Sequence, residues 1–79
     1  MQFPKREQVE FYRKMYPAGT RLKLVSMDDS QAPPEGTIGT VAGVDDLGDI
    51  LMDWDNGSGL KLIPGKDVFI RADEKTGGD

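Results

Sequence analysis

The tetrapeptide Trp54-Asp55-Asn56-Gly57, with alternating residues on both sides of it, constrains this chain more than any other feature. An Asn-Gly pair between alternating segments signals a two-residue hairpin turn, because both central residues of that turn need φ > 0. Ile50, Met52 and Trp54 alternate with Leu51 and Asp53 before it, and Leu60 and Leu62 flank Lys61 after it. A period of two sends successive side chains to opposite faces of a sheet. The pattern predicts strands over residues 49–54 and 59–62, joined by a tight turn.

The same period extends outward from this hairpin. Leu22 and Leu24 alternate with Arg21 and Lys23, predicting a strand over residues 20–27. Ile38, Val41 and Val44 recur at a spacing of three within residues 37–44, which requires a bulge or sharp bend, expected at Gly39 and Gly43. Asp45-Asp46-Leu47-Gly48 reads as a tight turn with Gly48 in a left-handed bulge position. Residues 68–71 form a fifth predicted strand after a break at Ile63-Pro64-Gly65. Residues 4–16 switch to helical spacing, with Val9, Tyr12 and Tyr16 on one stripe and Phe11 and Met15 widening it. Pro4 suits the start of this helix, Glu7 complements its dipole, and Pro17 ends it.

The expected fold is therefore mainly β: an N-terminal α-helix over residues 1–17, a five-stranded SH3-like small barrel over 18–72, and a disordered tail over 73–79. Glycine-marked bending of the second strand lets so short a sheet close on itself. The expected core is Leu22, Leu24, Ile38, Val41, Val44, Ile50, Met52, Trp54, Leu60, Leu62 and Phe69. Val68 and Ile70 point opposite to Phe69, so either the helix covers them or they form an exposed apolar strip.

Several of these residues, taken in order, resemble a known family. Tyr16-Pro17-Ala18-Gly19-Thr20, Ala32-Pro33-Pro34 with Gly36-Thr37, and Gly39-Thr40-Val41 come first. Val44-Asp45-Asp46, Trp54-Asp55-Asn56-Gly57-Ser58 and Ile63-Pro64-Gly65 follow. Over roughly residues 16–71 the chain is similar to domain-of-unknown-function family 4314, short bacterial and phage-associated proteins. The resemblance implies an SH3-like barrel and a prokaryotic or mobile-element setting, and it implies no activity. The family pattern has an acid after Ile-Pro-Gly, where this chain has Lys66 before Asp67, so any carboxylate role there falls to Asp67.

Composition removes much of the remaining chemistry. Cysteine and histidine are both absent from the 79 residues, which excludes disulfides, thiolate or imidazole zinc sites and histidine-based triads. Counted from Asp53, the fifth, sixth and twelfth positions of a calcium loop hold Gly57, Ser58 and Pro64, so that pattern fails. Asp45, Asp46 and Asp49 have no accompanying nucleophile and read as solvated turn formers. Gly36, Gly39 and Gly43 lack the spacing of a phosphate loop. No enzymatic activity, cofactor or metal is expected.

No apolar run approaches the ~20 residues that cross a bilayer, and the charged N-terminus lacks the apolar segment of a signal peptide. A soluble, cytoplasmic protein without membrane association is expected. Net charge is −4: residues 4–16 carry +2, residues 20–72 carry nine acids against five bases, and the tail adds −2. A barrel of that sign disfavours nucleic acid as its main ligand; the alternative expectation is a nucleic-acid-associated regulator of a mobile element that contacts phosphates through Lys5, Arg6, Arg13 and Lys14 of the helix.

The favoured expectation is a non-enzymatic interaction module that binds a protein partner through an acidic loop face or through the helix. The candidate partner-binding residues are Asp28, Asp29, Pro33, Pro34 and Glu35 in the long loop, with Asp45 and Asp46 for a basic partner. Pro33-Pro34 either stiffens a groove-lining loop or lowers the entropy of an exposed connection. Trp54, in phase with Ile50 and Met52, is expected in the core rather than as an aromatic platform. The helix stripe is expected to cover the barrel in preference to forming an interface.

Overall fold

A computed structural model of the chain describes residues 6–72. It contains one helix, α1 (Arg6–Met15), and four strands: β1 (Arg21–Ser26), β2 (Ile38–Val44), β3 (Ile50–Trp54) and β4 (Val68–Arg71). The strands form one antiparallel sheet in the order β3-β2-β1-β4. Two expectations are corrected here: there are four strands rather than five, and the sheet is open rather than a closed barrel. Pro4, Lys5 and the tail lie outside the described residues.

The missing strand has a physical cause. Within residues 59–64 Leu62 alone pairs with a strand, bonding Ile50 at 2.8 Å in both directions, while Pro64 forms an isolated parallel bridge with Asp67. The Leu60 carbonyl accepts from Trp54 Nε1 at 2.7 Å, and the Leu60 amide donates to Ser58 Oγ. The Ile63 amide donates to Asp67 Oδ2 at 2.8 Å, and Pro64 has no N–H to give. Side chains have taken the backbone groups a strand would need, so the segment meets β3 at a single bridge. Leu62 is nonetheless fully buried.

Both hairpins use three-residue loops. Gly57 N donates to Trp54 O and Trp54 N to Ser58 O, with φ +94° at Gly57. Asn56 has an ordinary negative φ, because its Oδ1 accepts the Ser58 amide and holds a conventional turn. The two-residue turn expected here is thereby corrected. The Asp45–Asp49 turn repeats the arrangement, with φ +86° at Gly48 in the bulge position read from the sequence.

The core consists of Val9, Leu22, Leu24, Val41, Val44, Ile50, Met52, Trp54 and Leu62. Ile38, Leu60 and Phe69 are only partly buried, while Val9 joins the core from α1. Ile38 is displaced because the inward position of β2 belongs to Gly39, directly across from Trp54. A Cβ at Gly39 would lie 2.7 Å from Trp54 Cε3 and 3.0 Å from Trp54 Cα. The indole occupies the space a side chain would need. The register shift between Val41 and Gly43 is the expected bulge; it returns Val44 to the inward face.

Candidate interaction surface

The helix belongs to the fold. Val9 is buried, Tyr12 and Tyr16 pack on the core, and the Tyr16 ring meets Phe69 edge-on at 5.5 Å. Arg13 fixes α1 to the β2–β3 turn: Nε and Nη2 both donate to Val44 O at 3.1 Å, and Nη2 also reaches Asp46 Oδ1 at 3.1 Å. At the other side of the helix end, Arg71 donates to Met15 O at 2.8 Å and lies 5.7 Å from the Tyr16 ring centroid. Phe11 is left 56% exposed.

Each acid of the turn has a basic side chain within reach, two cations serving three carboxylates. Lys61 Nζ lies 3.1 Å from Asp49 and 3.4 Å from Asp45, while Asp46 has Arg13. Asp45 also accepts the Leu47 and Asp49 amides, both at 2.9 Å. Desolvation pushes the Asp45 carboxyl upward, but those two amides and Lys61 outweigh it and leave it below its ordinary value. Asp55 is held low by its two-pronged bond to Arg21, at 2.8 and 2.9 Å. Among the described residues, no group of three or more acidic side chains is arranged to hold a metal ion.

The long loop is built by its own turns. Asp29 Oδ1 accepts the Gln31 amide at 2.7 Å, and Pro34 O accepts both the amide and the hydroxyl of Thr37. Gly36 N returns to Leu24 O at 2.8 Å, tying the loop back to β1. Pro33 is buried and acts as an anchor; Asp28, Asp29, Pro34 and Glu35 are exposed. The structure therefore separates the sequence candidates into two groups, one in this loop and one at the Asp45–Asp46 turn.

A third surface stands out once the sheet is assembled. Among the described residues β4 is paired with β1 alone, which makes it an edge strand. Val68 and Ile70 are 51% and 52% exposed on its outer side, so of the two outcomes foreseen for them the exposed strip is observed. Val25 is exposed beside them at the irregularity between Leu24 and Ser26. Lys23 pairs with Ile38 on one side and Ile70 on the other, which sets a cation in a row of aliphatic residues. Neither Lys23 nor Lys66 has an ion-pair partner among the described residues. Their alternation with Phe69 signalled Val68 and Ile70 in the sequence; nothing local signalled Lys23, whose neighbours come from other strands.

The family described as Domain of unknown function (DUF4314) matches residues 5–72. The chain belongs to the DUF4314 family. That match takes in α1, all four strands and every loop just described, so the docked helix lies within the family's extent along with the sheet. No curated protein and no solved structure was found to match this DUF4314 chain. No helix among its described residues is long and apolar enough to cross a membrane.

Proposed function

We propose that this DUF4314 protein is a small non-enzymatic interaction module that holds a protein partner on the outer side of β1 and β4. The observation that carries this reading is the exposure of Val68 and Ile70, 51% and 52%, on a strand with a single neighbour. Aliphatic side chains on an open sheet edge invite pairing with another chain, and edges without a partner are ordinarily blunted by charge or covered. The long loop forms one rim of the same surface, because it leaves β1 just beyond Ser26, the residue paired with Val68. Asp28 and Asp29 then flank the partner at that end, while Pro34 and Glu35 lead back to β2 on the far side of β1.

The other surfaces support the reading less. Asp45 and Asp46 already have Lys61 and Arg13, and a basic partner would have to displace them. Arg13, one of the four basic residues the helix offered to phosphates, is engaged with Val44 and Asp46. The test is affinity capture from nuclease-treated host lysate, comparing the natural chain with Val68→Lys/Ile70→Lys and Asp45→Lys/Asp46→Lys. A partner lost with the first variant and retained by the second supports the reading. A partner retained by the β4 variant, with its fold verified by circular dichroism, would refute it.

A further inference from the structure

The turn after β3 carries a covalent chemistry of its own. Asn56 is the only asparagine in the sequence, and Gly57 follows it. Both are exposed. We propose that Asn56 is a site of spontaneous deamidation, with water as the co-reactant, and that the closed turn, clamped by Arg21, holds the reaction back until it opens locally.

The step needs no catalyst beyond base. The Gly57 amide nitrogen, having given its proton to base, attacks Asn56 Cγ. An N–C bond forms there, the Cγ–Nδ2 bond breaks, and the side-chain amide takes a proton from water and leaves as ammonia. Water then opens the five-membered succinimide. Attack at Cγ gives aspartate; attack at the main-chain carbonyl gives isoaspartate, with the chain rerouted through the former side chain. One water is consumed and one ammonia released, with no change of oxidation state. Glycine admits the attack because it has no Cβ to crowd the nitrogen. The surroundings do not crowd it either, since a Cβ built at Gly57 would meet nothing within 4 Å. The glutamines would have to close a less favourable six-membered ring.

The folded turn occupies both reacting groups. Gly57 N donates to Trp54 O at 2.9 Å, so the nucleophile is engaged, and Asn56 Oδ1 accepts the Ser58 amide at 3.0 Å, which fixes the side chain. Arg21 clamps the preceding residue, holding both Asp55 oxygens to β1 at 2.9 and 2.8 Å. Ring closure therefore waits on local opening, to which an exposed loop tip is prone. Isoaspartate inserts a methylene into the main chain of this three-residue loop, and either product adds a carboxylate beside Asp55.

The test incubates the intact chain at mildly alkaline pH, in buffer and in parallel in enough urea to unfold it. Chromatography with mass spectrometry separates the asparaginyl, aspartyl and isoaspartyl peptides that span residue 56. Both products should form there, more slowly in the folded chain by roughly tenfold or more, because two hydrogen bonds must break first. Arg21→Met, with its fold verified by circular dichroism, should speed the folded-state reaction about two- to fivefold and leave the rate in urea unchanged. No isoaspartate at residue 56, or a folded rate equal to or above that in urea, would overturn the proposal. An unchanged folded rate in Arg21→Met would overturn the role given to the clamp; if that variant does not fold, the comparison of the natural chain with and without urea decides.

Discussion

Replacing Gly39 by Ala probes a close approach between β2 and the Trp54 indole. The new Cβ would sit 2.7 Å from Trp54 Cε3 and 3.0 Å from both Met52 Cε and Trp54 Cα. Met52 can swing aside, but the indole is buried and the Cα is main chain of the paired strand. Relief therefore means widening β2 from β3 or rotating Trp54 off its bond to Leu60 O. Overpacking of this kind costs about 1–3 kcal/mol, offset by the ~0.4–1 kcal/mol gained when a glycine leaves the unfolded chain. A net loss of about 1–2 kcal/mol follows, a large share of the stability of a domain this small. Thermal unfolding should drop by roughly 4–8 °C for each kcal/mol. The assay is urea unfolding followed by Trp54 fluorescence, since the chain has a single tryptophan. Gly43→Ala is the matched control: it lies in the same strand, with nothing within 4 Å of its new Cβ. If Gly39→Ala proves as stable as Gly43→Ala, the indole does not fill that space and the packing argument fails.

Three further outcomes follow from the geometry. Arg13→Met should destabilise the fold by about 1–2 kcal/mol and raise amide hydrogen exchange along α1 first, because it removes the bonds to Val44 O and Asp46; uniform loss of protection would contradict this. Trp54→Phe should cost about 1–3 kcal/mol and selectively unprotect the Leu62 amide, which bonds Ile50 O, since Trp54 Nε1 holds the neighbouring Leu60 carbonyl; unchanged exchange there would show that the bond does not organise the segment. Asp45 and Asp55 both have folded carboxyls below the ordinary 3.8, so unfolding at acid pH takes up protons. Their contribution is complete above the ordinary value and is lost as pH falls through the lowered folded one. Urea midpoints should therefore decline on acidification below about pH 4, less steeply in Asp55→Asn, and an identical slope in the variant would sink the assignment.

How far the sequence reached depends on the range of the interaction concerned. Residue spacing is local: period-two alternation located β1, β3 and β4, and a spacing of three located β2, each to within a residue or two at each end, and together they assigned Leu22, Leu24, Val41, Met52 and Trp54 to the core. Spacing alone demanded a bulge near Gly43 and found it. The fifth strand failed because hydrogen-bond allocation at Leu60 and Ile63 is settled by Trp54, Ser58 and Asp67 side chains, which alternation does not register. Without that strand nothing closes the sheet, and β4 becomes an edge. Ion pairs spanning 33 and 34 positions, Arg13–Asp46 and Arg21–Asp55, leave no local trace either. The acids that looked available at the β2–β3 turn are consequently ion-paired, and the proposed docking surface lies at residues the sequence marked only by Val68 and Ile70 being out of phase with Phe69.

The most direct test of the proposed docking surface is site-specific photocrosslinking in the native host. A photoreactive side chain would be placed singly at position 70 on β4, position 46 in the acidic turn and position 11 on the helix. The account predicts one discrete protein adduct from position 70, absent from positions 46 and 11. Adducts from position 46 or 11 with none from position 70 would contradict it and return the function to the acidic turn or the helix.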